Sequence, residues 1–160
     1  VLGAAVLFFL LWRHAEGTNS SADREQGDVT HTATEFLNTL TNFKGTTIDQ
    51  DVAQIKRFAI GDFAGQVDTF FGPTNRDALR KAQAESVGHV ESVFVESLQG
   101  DQASIFAVVS ETITNVSTTT PKAQTLRIDM GMIDTSSGWK VNRVDILQSP
   151  GNPSIPGAGA

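Results

Sequence analysis

The sequence predicts an α+β domain in which about three helices pack on a curved, four-stranded antiparallel sheet. Two observations support this prediction. Apolar residues recur with a helical period of 3.6 through residues 29–84, and the period changes to about 2 in residues 87–147. With 160 residues, 39% hydrophobic and 19% charged, the chain has room for one folded domain with its own core.

The first predicted helix shows its core-facing side most clearly. Between residues 29 and 43 the apolar side chains form one helical stripe: Val29, Ala33, Phe36, Leu37, Leu40 and Phe43. Gly45 is expected to end this helix. A second helix is predicted from about Asp49 to Gly61, and a third from Asp62, interrupted at Gly72 and then resumed.

Four segments then alternate as β-strands do. Residues 87–98, 103–116, 124–134 and 139–147 are rich in Val, Ile, Thr and Phe. The sequences QGDQ, STTTPK and TSSG separate them and are typical of turns. Short connections between successive strands predict an antiparallel meander, with residues 148–160 forming a disordered Pro/Gly tail.

The chain opens with VLGAAVLFFLLWRH, whose first twelve residues carry no charge. As a helix, twelve residues cover about 18 Å of a hydrocarbon core that is ~30 Å thick. We therefore interpret residues 1–13 as the outer part of a transmembrane helix, with Trp12 and Arg13 as anchors at the bilayer surface. A signal-peptide core and a buried core segment remain alternatives. Residues 14–28 are polar and predict a juxtamembrane linker.

Composition excludes several classes of function. A net charge of −6 with scattered basic residues argues against nucleic-acid binding. The absence of cysteine excludes disulfides and thiolate chemistry, and the spacing of the three histidines suggests no metal site. No motif indicates a cofactor. The sequence therefore predicts a non-catalytic protein without a bound metal or cofactor.

The order of helices and strands is that of an NTF2-like (cystatin-like) domain. The segments ATEFLNTLTNF, IDQDVAQIKRFAIGDFAGQVDTFF and GWKVNRVDIL, following an apolar start, resemble the actinobacterial Mce-associated membrane proteins. That resemblance implies one N-terminal membrane anchor and an extracytoplasmic NTF2-like domain over residues 29–147. It also implies a non-catalytic accessory role in an Mce lipid importer of the plasma membrane. The expected partners are the permease and other importer subunits, and the domain could also contact lipid.

Candidate site residues fall in two groups. For the membrane contact with a permease we expect the apolar side chains near the end of the anchor: Phe8, Phe9, Leu11 and Trp12. For the domain, the structural motif comprises Gly61, Asp62, Phe63 and Trp139. Gly61 is expected to cap one helix, Asp62 to cap the next, and the two aromatic residues to fill the core.

Two other functions stay open from the sequence. A VirB8-like component of a conjugation or secretion channel would have the same anchor and the same kind of domain. An independent lipid- or steroid-binding cup would need a cavity beneath the helices, lined by phenylalanines that could equally fill it. As a general base in such a cup, Glu111 or Asp129 would be the candidate, although the chain has no tyrosine to assist it.

Overall fold

The computed structural model describes the backbone of residues 2–147 and the side chains of residues 21–147 except that of Thr119. Its helices are α1 (Leu2–Thr41), α2 (Ile48–Phe58), α3 (Gly61–Phe70) and α4 (Pro73–Lys81), with a 3-10 turn at Gly45–Thr47 before α2. Its strands are β1 (Phe43–Lys44), β2 (Glu85–Gln99), β3 (Gln102–Asn115), β4 (Thr118–Thr135) and β5 (Gly138–Leu147). All four predicted long strands are present.

The strands form one antiparallel sheet in the order β1-β2-β3-β4-β5. The predicted meander is therefore confirmed, but the sheet has five strands and not four. The additional strand β1 is two residues long, and its Phe43 pairs with Ser86 on β2. Register shifts in β2 and in the β4–β5 pair add local twist, which curls the sheet around the helices.

The number of helices also differs from the prediction of about three. The interruption at Gly72 separates two helices, and α4 begins at Pro73. Proline has no backbone N–H to donate and its φ is preset for a helix start, so it favours a new first turn. The periodicity by itself predicts α4 as a continuation of α3.

Helix α1 extends further toward the N-terminus than the predicted first helix. The backbone is helical through residues 14–28, where the polar composition predicted a linker. That these residues connect an anchor to the domain stays a prediction. Within the described part of the chain, no helix combines the length and apolarity required to cross a membrane. The predicted tail, residues 148–160, lies outside the described residues.

The core lies between the helices and the concave face of the sheet. Val29, Ala33, Phe36 and Leu37 of the predicted stripe are fully buried. The Phe36 ring contacts those of Phe58 and Phe63 edge to face, at centroid distances of 5.8 and 5.5 Å. These rings fill the space beneath the helices. Across from them, β3 contributes a row of small and branched side chains: Ala103, Ile105, Ala107 and Val109.

Candidate functional site

An open groove of about 500 Å³ lies where α1, the end of α2 and the β4–β5 turn meet. It has polar walls and an aromatic floor. The residues that define its character are Glu35 and Asn38 from α1, Arg57 and Phe58 from α2, and Trp139 and Lys140 from β5.

The aromatic floor comes from the core. Trp139 is 7% exposed and belongs to the same packed cluster as the half-buried Phe58. The turn before it brings the chain back sharply, with Gly138 at a φ of +91°, a conformation that favours glycine. Thr135 Oγ1 donates to the carbonyl of Gly138 at 2.8 Å and closes the turn. Trp139 therefore both packs in the core and forms part of the groove.

Two hydrogen bonds hold one wall of the groove in place. They join β5 to the end of α2 and to the residue that precedes α3. Lys140 Nζ donates to the carbonyl oxygen of Arg57 at 2.8 Å. This carbonyl lies in the last turn of α2, where it has no partner within the helix and attracts a cation. One step further, Ile60 N–H donates to the Val141 carbonyl at 2.9 Å. The end of α2 and the start of β5 are thus held together.

The groove has unequal charge on its two sides. Arg57 is exposed and Lys140 half-buried on the α2–β5 side. On the α1 side, Glu35 lies 3.4 Å from His31 Nε2, within its own helix. The guanidinium of Arg57 presents a rigid fork of donors suited to a carboxylate. The α2–β5 side of the groove therefore offers donors for a carboxylate beside the aromatic floor, and Glu35 makes the opposite side acidic.

The Gly61-Asp62-Phe63 motif lies at the start of α3, away from the lining of this groove. The prediction that Gly61 caps α2 is wrong, because the C-cap of α2 is Ala59 and Gly61 is the first residue of α3. Its φ of +56° explains why glycine occupies this sharp entry into the helix. The prediction that Asp62 caps α3 is wrong. The cap position is Ile60, and Asp62 lies in the first turn, where its charge favours the positive helix end. Phe63 is buried, 5% exposed, against α1.

An ion-pair cluster joins α2 to α4. Asp49, in the first turn of α2, accepts from Arg76 Nη1 at 2.8 Å and also from Arg80 Nη2. Arg80 additionally pairs with Asp77. Hydrogen bonds from Arg80 and then Arg76 lower the pKa of Asp49 below its ordinary value of 3.8. The cluster joins α4 to the start of α2 at the surface of the domain.

The inward carboxylate of Glu111 lies in a closed hydrogen-bond network. Glu111 is 7% exposed; its Oε1 is 2.5 Å from Ser86 Oγ, and its Oε2 accepts from Gln124 Nε2 at 2.6 Å. Ser86 Oγ also lies 2.7 Å from the carbonyl of Thr41, where α1 ends. These contacts place Glu111 as a link between the end of α1 and the sheet.

The remaining predicted residues stay untested. Phe8, Phe9, Leu11 and Trp12 fall within α1, but their side chains lie outside the described part of the chain, and their contact with a permease stays a prediction. The sequence analysis missed Arg57 and Lys140 of the groove. They are 83 residues apart, and no local motif joins them.

Sequence comparisons do not assign the chain to a family. No family model matches it, and no curated protein matches it.

Solved structures, in contrast, show its fold. VirB8 of Agrobacterium tumefaciens matches with a TM-score of 0.65 at 12% identity, over 81% of this chain and 96% of that one. A periplasmic fragment of TraM matches at 0.64 and 12%, over 78% and 98%. An IcmL-like type IV secretion system protein of Legionella pneumophila matches at 0.62 and 12%, over 79% and 96%.

The class of domain follows from these likenesses. The chain has the α+β fold with a curled antiparallel sheet found in VirB8-like domains of type IV secretion proteins. At this level of identity the likeness concerns the fold alone. The predicted NTF2-like class is supported in this coarser form, and the comparisons give no support to the Mce-associated family specifically.

Proposed function

We propose that this chain is a non-catalytic assembly component of a type IV secretion or conjugation channel, of the VirB8 kind. The proposal rests on one observation, the likeness to VirB8, TraM and IcmL-like domains over 96–98% of their lengths. Two of the similar structures, of TraM and DotI, are described as periplasmic. We place the domain in the periplasm accordingly, held at the inner membrane by the predicted N-terminal anchor.

The groove supplies the contact with another channel protein in this proposal. Its occupant is a segment of a partner protein that bears a carboxylate, because Arg57 and Lys140 offer positive charge beside the Trp139 floor. A neighbour of similar fold, TraE, is described in complex with 2-(2-furyl)isonicotinic acid, itself a carboxylic acid. A small aromatic acid has the same two features that the groove would select, an anionic group and a flat apolar body.

A second candidate function is the accessory subunit of an Mce lipid importer. The sequence features that favour it are the Gly61-Asp62-Phe63 step and the Gly138-Trp139 start of the last strand. Its partners would be the permease and other importer subunits, in the same membrane and with the same orientation. Both candidates describe a domain that acts by holding other proteins and not by chemistry.

Co-purification distinguishes the two candidates. The C-terminally tagged full-length protein would be extracted from native membranes in mild detergent and its partners identified by mass spectrometry. Recovery of channel proteins with their ATPases supports the proposal. Recovery of an Mce permease with its ATPase would overturn it in favour of the second candidate. Recovery of the chain alone, with bound lipid, would contradict both.

The same co-purification also tests whether the partner protein binds in the groove. Arg57→Glu reverses the charge of an exposed side chain and should release the partner while leaving the domain folded. Lys122→Glu makes the same change in charge at an exposed position on β4 that does not line the groove, and should retain it. Equal recovery of the partner with both variants would remove the groove from the proposal.

A further inference from the structure

Opposite charges lie on the two walls of the groove without pairing with each other. Glu35 lies on the α1 wall, and Arg57 and Lys140 lie on the α2–β5 wall. Among the described residues, the ion pairs include neither Arg57 nor Lys140, and Glu35 pairs only with His31 of its own helix. The Glu35 side chain is still 56% exposed in that pair. Both walls therefore keep a charge that a ligand can contact.

The core fixes the two walls relative to each other. The Phe36 ring of α1 contacts the Phe58 ring of α2 at a centroid distance of 5.8 Å. On the other wall, the hydrogen bond from Lys140 Nζ to the Arg57 carbonyl oxygen holds β5 against α2. This bond uses one of the three N–H donors of the ammonium group and leaves the others for a ligand. The groove is therefore preorganised, with a negative and a positive side that binding does not have to assemble.

Neutral hydrogen-bonding side chains accompany the charged ones. Thr32 and Asn38 lie about one helical turn on either side of Glu35. Gln54 lies about one turn before Arg57 on α2. Hydroxyl and amide groups both donate and accept hydrogen bonds, as the peptide groups of a main chain require. The groove thus offers contacts to a main chain as well as to charged side chains.

We propose that the partner segment in the groove carries a basic side chain in addition to its carboxylate, and that Glu35 selects the basic one. The inference rests on the proposed function and specifies the chemistry of the partner. The carboxylate lies against Arg57 and Lys140, and a Lys or Arg of the partner lies against Glu35 on the opposite wall.

The charges of the lining favour such a mixed segment over a purely acidic one. An acidic segment would be attracted by Arg57 and Lys140 but repelled by Glu35, whereas a segment with both signs is attracted by both walls. Asp134, the β4 partner of Trp139, is exposed but does not line the groove. Glu35 is therefore the acidic group that a bound segment meets in the described lining.

The direction of the change in binding at position 35 tests the inference. The co-purification would be repeated with Glu35→Lys in the full-length protein, and the partner recovered per chain would be quantified by mass spectrometry. A mixed segment loses an attraction and gains a repulsion, so recovery should fall about 5-fold or more. A purely acidic segment would instead bind the variant more tightly. Increased or unchanged recovery overturns the inference.

Asp23→Lys provides the matched control. Asp23 is exposed on the same helix, about 18 Å from Glu35 along its axis, and does not line the groove. The same change in charge there should leave recovery unchanged, and an equal loss with both variants would overturn the inference. Circular dichroism would verify that each variant is folded.

The Arg57→Glu variant separates this inference from the proposed function. If Arg57→Glu releases the partner and Glu35→Lys does not, the groove remains the docking site and the inference is wrong. If Arg57→Glu retains the partner, the groove and the inference both fail. Loss of the partner with both variants, and not with Asp23→Lys, supports both.

Discussion

Removal of the Phe36 ring tests whether α1 belongs to the folded domain. Phe36 is fully buried and contacts Phe58 of α2 and Phe63 of α3, so it joins three helices. Phe36→Ala removes this burial and leaves a cavity, which costs about 4 kcal/mol in the free energy of unfolding. With an m-value of about 1.5 kcal/mol per M, the urea midpoint should fall by about 2.7 M.

The matched control is Phe70→Ala, since the Phe70 ring is 49% exposed and contacts only the edge of its neighbour Phe71 among the ring contacts described for it. This change should cost about 1 kcal/mol, mainly the aromatic pair. Both variants would be unfolded in urea and followed by far-UV circular dichroism. Equal midpoints for the two variants would refute the packing of α1 across α2 and α3.

Three further outcomes are expected. Glu111→Ala should cost about 1–3 kcal/mol in urea unfolding, because the part-buried amide of Gln124 loses its acceptor, whereas Glu111→Gln should cost less; equal losses would contradict the network. Asp49→Asn should be less stable than the unaltered chain at pH 7. Because folding lowers the pKa of Asp49, the difference in stability between the variant and the unaltered chain should shrink as the pH falls below 3.8 and vanish below the folded pKa. A difference in stability that persists at that pH would contradict the ion-pair cluster. Gly45→Ala should cost several kcal/mol or prevent folding, because its Cβ would lie 2.2 Å from the Leu79 carbonyl oxygen; a fully stable variant would contradict this close approach.

Periodicity predicted the parts of the fold that depend on local pattern. The α1 stripe and the alternation along β3 were readable because one face of each element is buried and the other is not. The two-residue strand β1 could not be predicted. It exists because Phe43 and Lys44 lie beside β2, some forty residues further along the chain, and two residues have no period of their own.

The candidate sites were harder to predict from the sequence than the fold. Trp139 was identified as a candidate, but the groove residues of α1 and α2 are brought beside it only by the fold. The contacts of Glu111 with Ser86 and Gln124 depend on strand register, which a one-residue shift would destroy. The alternation along each strand can be predicted from the sequence, but the alignment between strands cannot.

The most direct test of the account is photocrosslinking from the groove in the native host. A photoreactive amino acid would replace Arg57, with the same replacement at Lys122 as the control outside the groove. We predict an adduct with another protein of the secretion channel from position 57 and none from position 122. Adducts with lipid-importer subunits would contradict the assignment to a channel, and the absence of any protein adduct from position 57 would contradict the docking groove itself.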